Sequence, residues 1–375
     1  MKVVKQLISQ RFSVENSEAL MNSYQSSQTS FISEVKSRLE NGKYNLSKSN
    51  CPCGVSRTRD IIISEIDRYG LPLNSVICMK CGTVRVNPYL DSVSLDDFYS
   101  KLYQKMYGRA PDLESYFCRQ KSYGEKVFSI SQAYLNSESW VCEVGCGAGG
   151  ALSIFQDQNI NVVGCDYSRD LIEDGKKRGI PNLYHGGIEE LKNSVDSKRF
   201  DLIFLHHVFE HLDNPFVFLN SCRDIVNENG KIVIIVPDIS GIDSSRFPAG
   251  DLLPYLHIAH KYNFSLKCLQ NLSERSGYSL SVLHPDPKLK TPCSDSSELW
   301  VEMKMIASDT YSSDFIESPL ERGEEMLNYL IKTEKLYSLG LCNAQIAKKI
   351  ERLQGRIFPI EKLRKIKAFL MPKDF

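Results

Sequence analysis

Between about residues 120 and 307 the chain repeats one pattern, a stretch of helical spacing followed by a short, nearly continuous apolar run. The apolar runs are WVCEV, NVVGCD, FDLIFL and GKIVIIVP, with two more in YSLSVLH and LWVEMKMI. Strands that are apolar on both faces belong to a parallel sheet covered by helices on both sides, so the pattern predicts a doubly wound α/β domain over 113–307. Upstream the character changes. Residues 1–47 are rich in Ser, Asn and Gln, with one amphipathic helix predicted around Phe31, Val35 and Leu39, and read as a polar segment, either a docking arm or a partly mobile leader. Residues 48–112 hold cysteine pairs, a stretch of β-type residues and a helical, tyrosine-rich run, DDFYSKLYQKMYG. From 308 to 375 the spacing is helical, in EEMLNYLIKTEKLYSLG and then NAQIAKKIERLQGRIFPIEKLRKIKAFLM.

Length agrees with more than one unit, because 375 residues exceed the ~250–300 at which a single core stops growing. Charge removes some classes of function. With 46 Lys plus Arg against 46 Asp plus Glu, no global field draws the chain to nucleic acid or to anionic lipid. The first twenty residues are too often interrupted by charge to form a signal peptide, and no later stretch reaches the ~18 apolar residues of a membrane span. Twelve cysteines in this setting read as thiols and metal ligands, which predicts a cytoplasmic protein. The last 35 residues carry nine Lys or Arg and three Asp or Glu among apolar residues. Such a run is expected as the solvated face of a packing helix before contact with a membrane surface or a synthase partner.

Four of the cysteines form two close pairs, Cys51-Pro-Cys53-Gly54 and Cys78-Met-Lys-Cys81-Gly82. Turning two sulfurs of a tight loop towards one cation needs backbone of positive φ, which the following glycine supplies. Four thiolates suit a closed tetrahedral zinc site, and the lack of an open-site partner assigns that zinc to folding rather than to catalysis.

The run Glu143-Val-Gly145-Cys146-Gly147-Ala-Gly-Gly150 closes the first apolar strand and opens a helix. Its glycines let backbone amides approach a ligand closely, and on their own they also satisfy the dinucleotide fingerprint G-x-G-x-x-G. The second strand ends in Asp166, 21 residues after Gly145. A carboxylate there can accept both ribose hydroxyls, a contact that NAD and S-adenosylmethionine share. Glu143 separates the two, because an acid two residues before the first glycine can face the ammonium of a methionine moiety. An NAD-dependent oxidoreductase is the less favoured alternative.

The series E-V-G-C-G-A-G, G-C-D-Y-S, G-G-I-E-E-L and F-D-L-I-F-L-H-H-V-F-E-H-L resembles the class I S-adenosylmethionine-dependent methyltransferases over about half the chain. That resemblance implies a Rossmann-like, mostly parallel sheet of seven strands. It places Glu143, Gly145, Cys146 and Gly147 around the methionine portion of the cofactor and Asp166 on the ribose with Tyr167 beside it. Ile188 and Glu189 lie by the adenine, and His206 lies beside the methionine chain. The cysteine segment, C-M-K-C-G-T-V-R-V-N-P-Y-L-D-S-V-S-L-D-D-F-Y, resembles the leader of bacterial sugar, polysaccharide and antibiotic-pathway methyltransferases, including the nucleotide-sugar C-methyltransferases. A sugar, glycan or related small-molecule acceptor follows as the expectation.

Methyl transfer needs alignment and one base. PYLHIAHKYNFS offers His257 and His260, and its H-K-Y-N-F-S resembles the segment that carries the base of the sugar C-methyltransferases, with His260 on that position. Where that family has acidic and tyrosine companions this chain has Ala259 and His257, and in place of its second C-terminal α/β domain stand 68 residues of helical pattern. The first departure weakens carbon methylation, the second points to a smaller or different substrate and to O- or N-methylation, and O-methylation is the expectation. C-methylation of a nucleotide sugar and a silent cofactor-binding module remain the alternatives. Tyr103 and Tyr107 are further candidates for closing over the methyl-transfer site.

Overall fold

The computed structural model describes residues 4–56, 59–106, 112–195, 198–243, 250–286, 288–289, 297–306 and 322–341. Tyr107 and the basic run after 341 lie outside the described residues. Short β-type runs in the first ninety residues form strands β1 (Val4–Lys5), β2 (Leu46–Ser47), β3 (Asp60–Ser64), β4 (Ser75–Cys78), β5 (Val84–Val86) and β6 (Tyr89–Leu90). The repeating region supplies β7 (Trp140–Val144), β8 (Asn161–Asp166), β9 (Leu183–His185), β10 (Phe200–His206), β11 (Val226–Pro237), β12 (Tyr262–Asn263), β13 (Tyr278–Val282) and β14 (Glu298–Met305).

Seven of these strands form one mixed sheet in the order β13-β14-β11-β10-β7-β8-β9. Every pair from β11 to β9 is parallel, and β14 runs antiparallel to both of its neighbours. Strand order reverses at β7, with β8 and β9 on one side of it and β10 and β11 on the other. A ligand crevice opens at such a switch point, outside the carboxyl ends of the strands. The two faces of the sheet are covered separately. Phe200, Ile203, Leu205, Ile232 and Ile234 fill one core, and Leu202, Phe204, Val233 and Ile235 fill the other. This alternation along fully apolar strands is what covering both faces requires.

A second sheet has the order β1-β3-β4-β5-β12. Residues 4–47 are built into this part of the molecule instead of standing off as an arm. β1 pairs with β3, and the helix Ser26–Glu40 buries Ile32 and Val35 in the core that also holds Tyr69 and Phe98. The helix Arg322–Ser338 closes the other side, placing Leu327 and Leu330 against Ile8, Phe12, Ile77 and Val84. The last strand of this sheet, β12, comes from the chain just after His260. It pairs Tyr262 with Arg85 and Asn263 with Val84, and Val86 N–H donates to Lys261 O at 3.0 Å. The cysteine hairpin between β4 and β5 is thereby joined to the loop that carries His257 and His260.

Candidate functional site: a cofactor cradle beside a histidine cluster

The loop after β7 is held open by its own backbone. Gly145 and Cys146 amides both donate to Cys165 O, at 2.8 and 3.0 Å. Gly145 and Gly147 have φ of 77° and 53°, and a side chain on Gly147 would meet Tyr116 Oη and Gln120 Nε2 at 2.7 Å. Tyr116 and Gln120 lie on the helix Leu113–Ser131, whose Gln120 donates to Cys146 O at 2.6 Å and so roofs the loop. Periodicity located that helix but gave no sign that it lines the cradle.

Two carboxyl groups face this loop. Asp166 Oδ2 accepts Gly147 N–H at 2.9 Å and Oδ1 accepts Ser168 N–H at 2.7 Å. Burial raises its pKa against those two bonds. Glu143 is 3% exposed and its buried Oε2 accepts no hydrogen bond. Burial, and then the charge of Asp166, push it well above the usual carboxylate range. A buried carboxyl oxygen without a partner is costly unless a cation or donor meets it. Glu143 therefore fits the ammonium of a methionine moiety, and Asp166 a ribose.

The other expected contacts lie around the same crevice. Tyr167 is 75% exposed beyond Asp166, and a side chain on Gly187 would meet its hydroxyl at 2.6 Å. Ile188 is buried at the start of the next helix. Glu189 points to solvent and lies 3.6 Å from Lys192, whereas Glu190 turns back to accept Gly187 N–H at 2.8 Å. His206 ends β10, stacks on Tyr123 with ring centroids 3.7 Å apart, and has a buried Nε2 without a hydrogen-bond partner. Burial keeps its pKa well below the ordinary histidine value.

Beyond His206 the chain turns abruptly. His207 has φ of 53°, unusual for a residue with a side chain, and its Nε2 lies 2.8 Å from Glu298 Oε1 on β14. Burial alone would lower the His207 pKa, but the Glu298 bond and the charge of Glu210 leave it raised. Glu210 is 1% exposed. His211 Nδ1 lies 2.6 Å from Ala259 O and 3.0 Å from Tyr99 Oη. Tyr99 of the tyrosine-rich run thus reaches this cluster, with Tyr103 tilted against it at 5.0 Å between ring centroids.

His260 packs edge-on against His211 with centroids 4.9 Å apart, and its buried Nδ1 has no hydrogen-bond partner. His257 is fully buried and both of its nitrogens are occupied. Nδ1 accepts Ala259 N–H at 2.7 Å, so Nε2 carries the proton and donates to Tyr69 Oη at 3.2 Å. Its geometry is that of a residue holding the His260 loop. Asp67, which no motif marks, anchors the same loop by accepting Ile258 N–H at 3.0 Å.

The four cysteines of the two pairs converge. Cys51 and Cys81 sulfurs are 3.4 Å apart, those of Cys53 and Cys78 are 3.8 Å apart, and all four lie within 4.8 Å of one another. Four sulfurs held ~2.3 Å from one tetrahedral zinc would be ~3.8 Å apart, so the donor set fits the ion. Gly54 and Gly82, with φ of 82° and 77°, make the turns that aim the sulfurs.

A methyltransferase-domain family model matches residues 119–281, the segment that runs from the roofing helix to β13. That match takes in less than half of the chain and, with the Rossmann-like sheet and the glycine loop above, supports a methyltransferase domain over those residues. Among curated proteins, the chain is similar to the mitochondrial ubiquinone biosynthesis O-methyltransferase of Schizosaccharomyces pombe, with 28% identity over 99 residues. That match takes in 25% of this chain and 36% of the relative's length. Among solved structures, the plantazolicin methyltransferase BamL in complex with a triazolic desmethylPZN analog and SAH superposes with a TM-score of 0.43 and 18% identity, covering 56% of this chain and 93% of that one. The mitomycin 7-O-methyltransferase MmcR superposes with a TM-score of 0.39 and 15% identity, over 56% of this chain and 58% of its own. Among the described residues no helix is long and apolar enough to cross a membrane.

Proposed function

We propose that this chain is a cytoplasmic enzyme that transfers the methyl group of S-adenosylmethionine to a hydroxyl of a sugar, glycan or related small-molecule acceptor in polysaccharide or secondary-metabolite biosynthesis. The observation that carries the cofactor is the pair of carboxyls around a glycine loop, with the buried Glu143 Oε2 lacking a partner and the part-buried Asp166 braced by two amides. When bound, the cofactor supplies a sulfonium methyl carbon, to which the acceptor oxygen bonds as the carbon–sulfur bond breaks and the thioether leaves. Oxygen as the methylated atom is supported by the O-methyltransferase relative and by the absence of an acid at Ala259.

The residues of the chain divide the work. Glu143, Gly145, Cys146, Gly147 and His206 hold the methionine portion, Asp166 and Tyr167 the ribose, and Ile188 with Glu189 flank the adenine. Glu189 serves by its backbone or stem, because its carboxylate faces solvent. Burial holds His260 neutral, leaving its unpaired Nδ1 free to take the hydroxyl proton. His257 positions that ring. Cys51, Cys53, Cys78 and Cys81 hold a structural zinc, which would fix β5 and, through β12, the His260 loop. A second reading is carbon methylation of a nucleotide sugar, favoured by the H-K-Y-N-F-S segment alone.

The test is mass-spectrometric detection of S-adenosylhomocysteine and of a 14-Da product gain with a panel of nucleotide sugars, free sugars and vicinal diols. We expect turnover with one class of acceptor and a loss of ~10²-fold or more in His260→Gln, with cofactor affinity kept. Cofactor binding without turnover on any acceptor would favour the silent module.

A further inference from the structure

Glu210 is 1% exposed, and neither of its carboxylate oxygens accepts a hydrogen bond. A buried carboxylate without partners is among the least tolerable groups in a fold. The groups nearest to it make matters worse if nothing lies between them. His207 Nδ1 is 3.5 Å and His211 Nε2 is 3.8 Å from Glu210 Oε1. Each of these rings directs its other nitrogen at an oxygen that can only accept, His207 Nε2 at the Glu298 carboxylate and His211 Nδ1 at the Ala259 carbonyl, at 2.8 and 2.6 Å. Their N–H groups are therefore spent on those acceptors, and in the neutral rings lone pairs face the Glu210 carboxylate. His260 completes the group, since Glu210, His211 and His260 offer ligand atoms within 4.8 Å of one another and His260 Nδ1 is itself unpaired.

We infer that Glu210, His211 and His260 bind a divalent first-row cation beside the cofactor cradle, separate from the four-cysteine cluster. Three features point to a metal over a single extra proton. One proton satisfies one imidazole–carboxylate contact and leaves the other facing lone pairs unpaired. The 3.8 Å between His211 Nε2 and Glu210 Oε1 is near the ~3–3.5 Å that separates two donors held ~2.1 Å from one ion. The outward contact of His211 to Ala259 is of the kind that orients a metal-bound histidine. Mixed imidazole and carboxylate donors select ions of the Mn²⁺, Fe²⁺ or Zn²⁺ kind.

The position of the cluster narrows the acceptor class, a step that rests on the methyl-transfer reading, whereas the metal site does not. His206, which stacks on Tyr123 in the cradle, has its ring centroid 4.5 Å from that of His207. An acceptor with two adjacent oxygens, a vicinal diol or a catechol, can occupy the free coordination positions with one oxygen turned to the methyl group. Where the ion is bound, His260 serves as its ligand and the ion supplies the acidity of the acceptor hydroxyl, while the base role of His260 given above belongs to the metal-free site.

The experiment is Mn²⁺ titration of the whole protein followed by electron paramagnetic resonance, with zinc counted by elemental analysis, on wild type, Glu210→Gln and His211→Gln. Calorimetric binding of S-adenosylhomocysteine is measured on the same samples. We expect one Mn²⁺, or a second equivalent of zinc, in wild type, weakened at least tenfold in both variants while cofactor-product affinity changes less than threefold. Uptake of no metal beyond the cysteine-held equivalent, or uptake unchanged in Glu210→Gln, would overturn the inference. Absence of S-adenosylhomocysteine binding in wild type would instead remove the methyl-transfer reading and leave the metal count standing.

Discussion

Replacing Glu143 by glutamine should move the stability and the cofactor affinity of this protein in opposite directions. Glu143 sits on β7, 3% exposed, with Oε2 unpaired and its pKa raised first by burial and then by Asp166. A group whose folded pKa lies above its unfolded one contributes stability below the unfolded value and loses it as pH rises through the folded value. At neutral pH the free protein is therefore relieved by the neutral amide, by about 1–2 kcal/mol on the scale of imperfectly paired buried polar groups. For a domain of this size that is a rise of a few degrees in Tm. Binding tells the other way. An ammonium that meets the carboxylate loses a charge-assisted bond of about 1.5–3 kcal/mol, so Kd for S-adenosylhomocysteine should rise roughly 10- to 150-fold. Wild-type affinity should also increase with pH as Glu143 ionises, and the glutamine variant should lack that slope. Calorimetry from pH 5 to 8 with thermal melts reads all three. A variant that loses stability, or that binds as wild type does, would refute the assignment of Glu143 to the ammonium.

Further outcomes are expected elsewhere in the molecule. Structural zinc supplies on the order of 10 kcal/mol in small modules, so elemental analysis should find zinc at the cysteines and Cys78→Ser should melt the cysteine hairpin first. An unchanged Tm after chelation would contradict this. Asp67 is 1% exposed and burial pushes its pKa up to about 7, against backbone bonds from Leu71, Tyr69 and Ile258. The folded state then holds a proton that the unfolded chain releases near pH 4, so stability should fall by up to ~1.4 kcal/mol per pH unit between about 4 and 7 and level off above. Asp67→Asn should flatten that dependence in thermal melts, and a parallel profile in the variant would exclude Asp67 as its source.

The repeating part of the fold was legible because its strands are apolar on both faces, and the cradle because Glu143, the glycines and Asp166 sit at strand ends whose position the pattern defines. Short or distant features were not. β12 is two residues long and pairs into a sheet whose other strands lie before residue 90, so no local periodicity marks it. Glu298 meets His207 from 91 residues away, and only the antiparallel register of β14 on β11 brings it there. His257 and His260 look equivalent at a spacing of three, yet the ring of one is consumed by Ala259 and Tyr69 while the other keeps a free nitrogen. Glu189 and Glu190 are likewise adjacent and alike in sequence, and helix phase alone decides which one turns to the loop.

The most direct test of the central claim is calorimetric titration of the whole protein with S-adenosylhomocysteine and, separately, with NADH, in wild type and Asp166→Ala. Two ribose bonds to a carboxylate, at about 1.5–3 kcal/mol each, predict one-to-one binding of S-adenosylhomocysteine that weakens 10²-fold or more in the variant, and no NADH binding. Binding of NADH, or S-adenosylhomocysteine affinity unaffected by the loss of Asp166, would contradict the account.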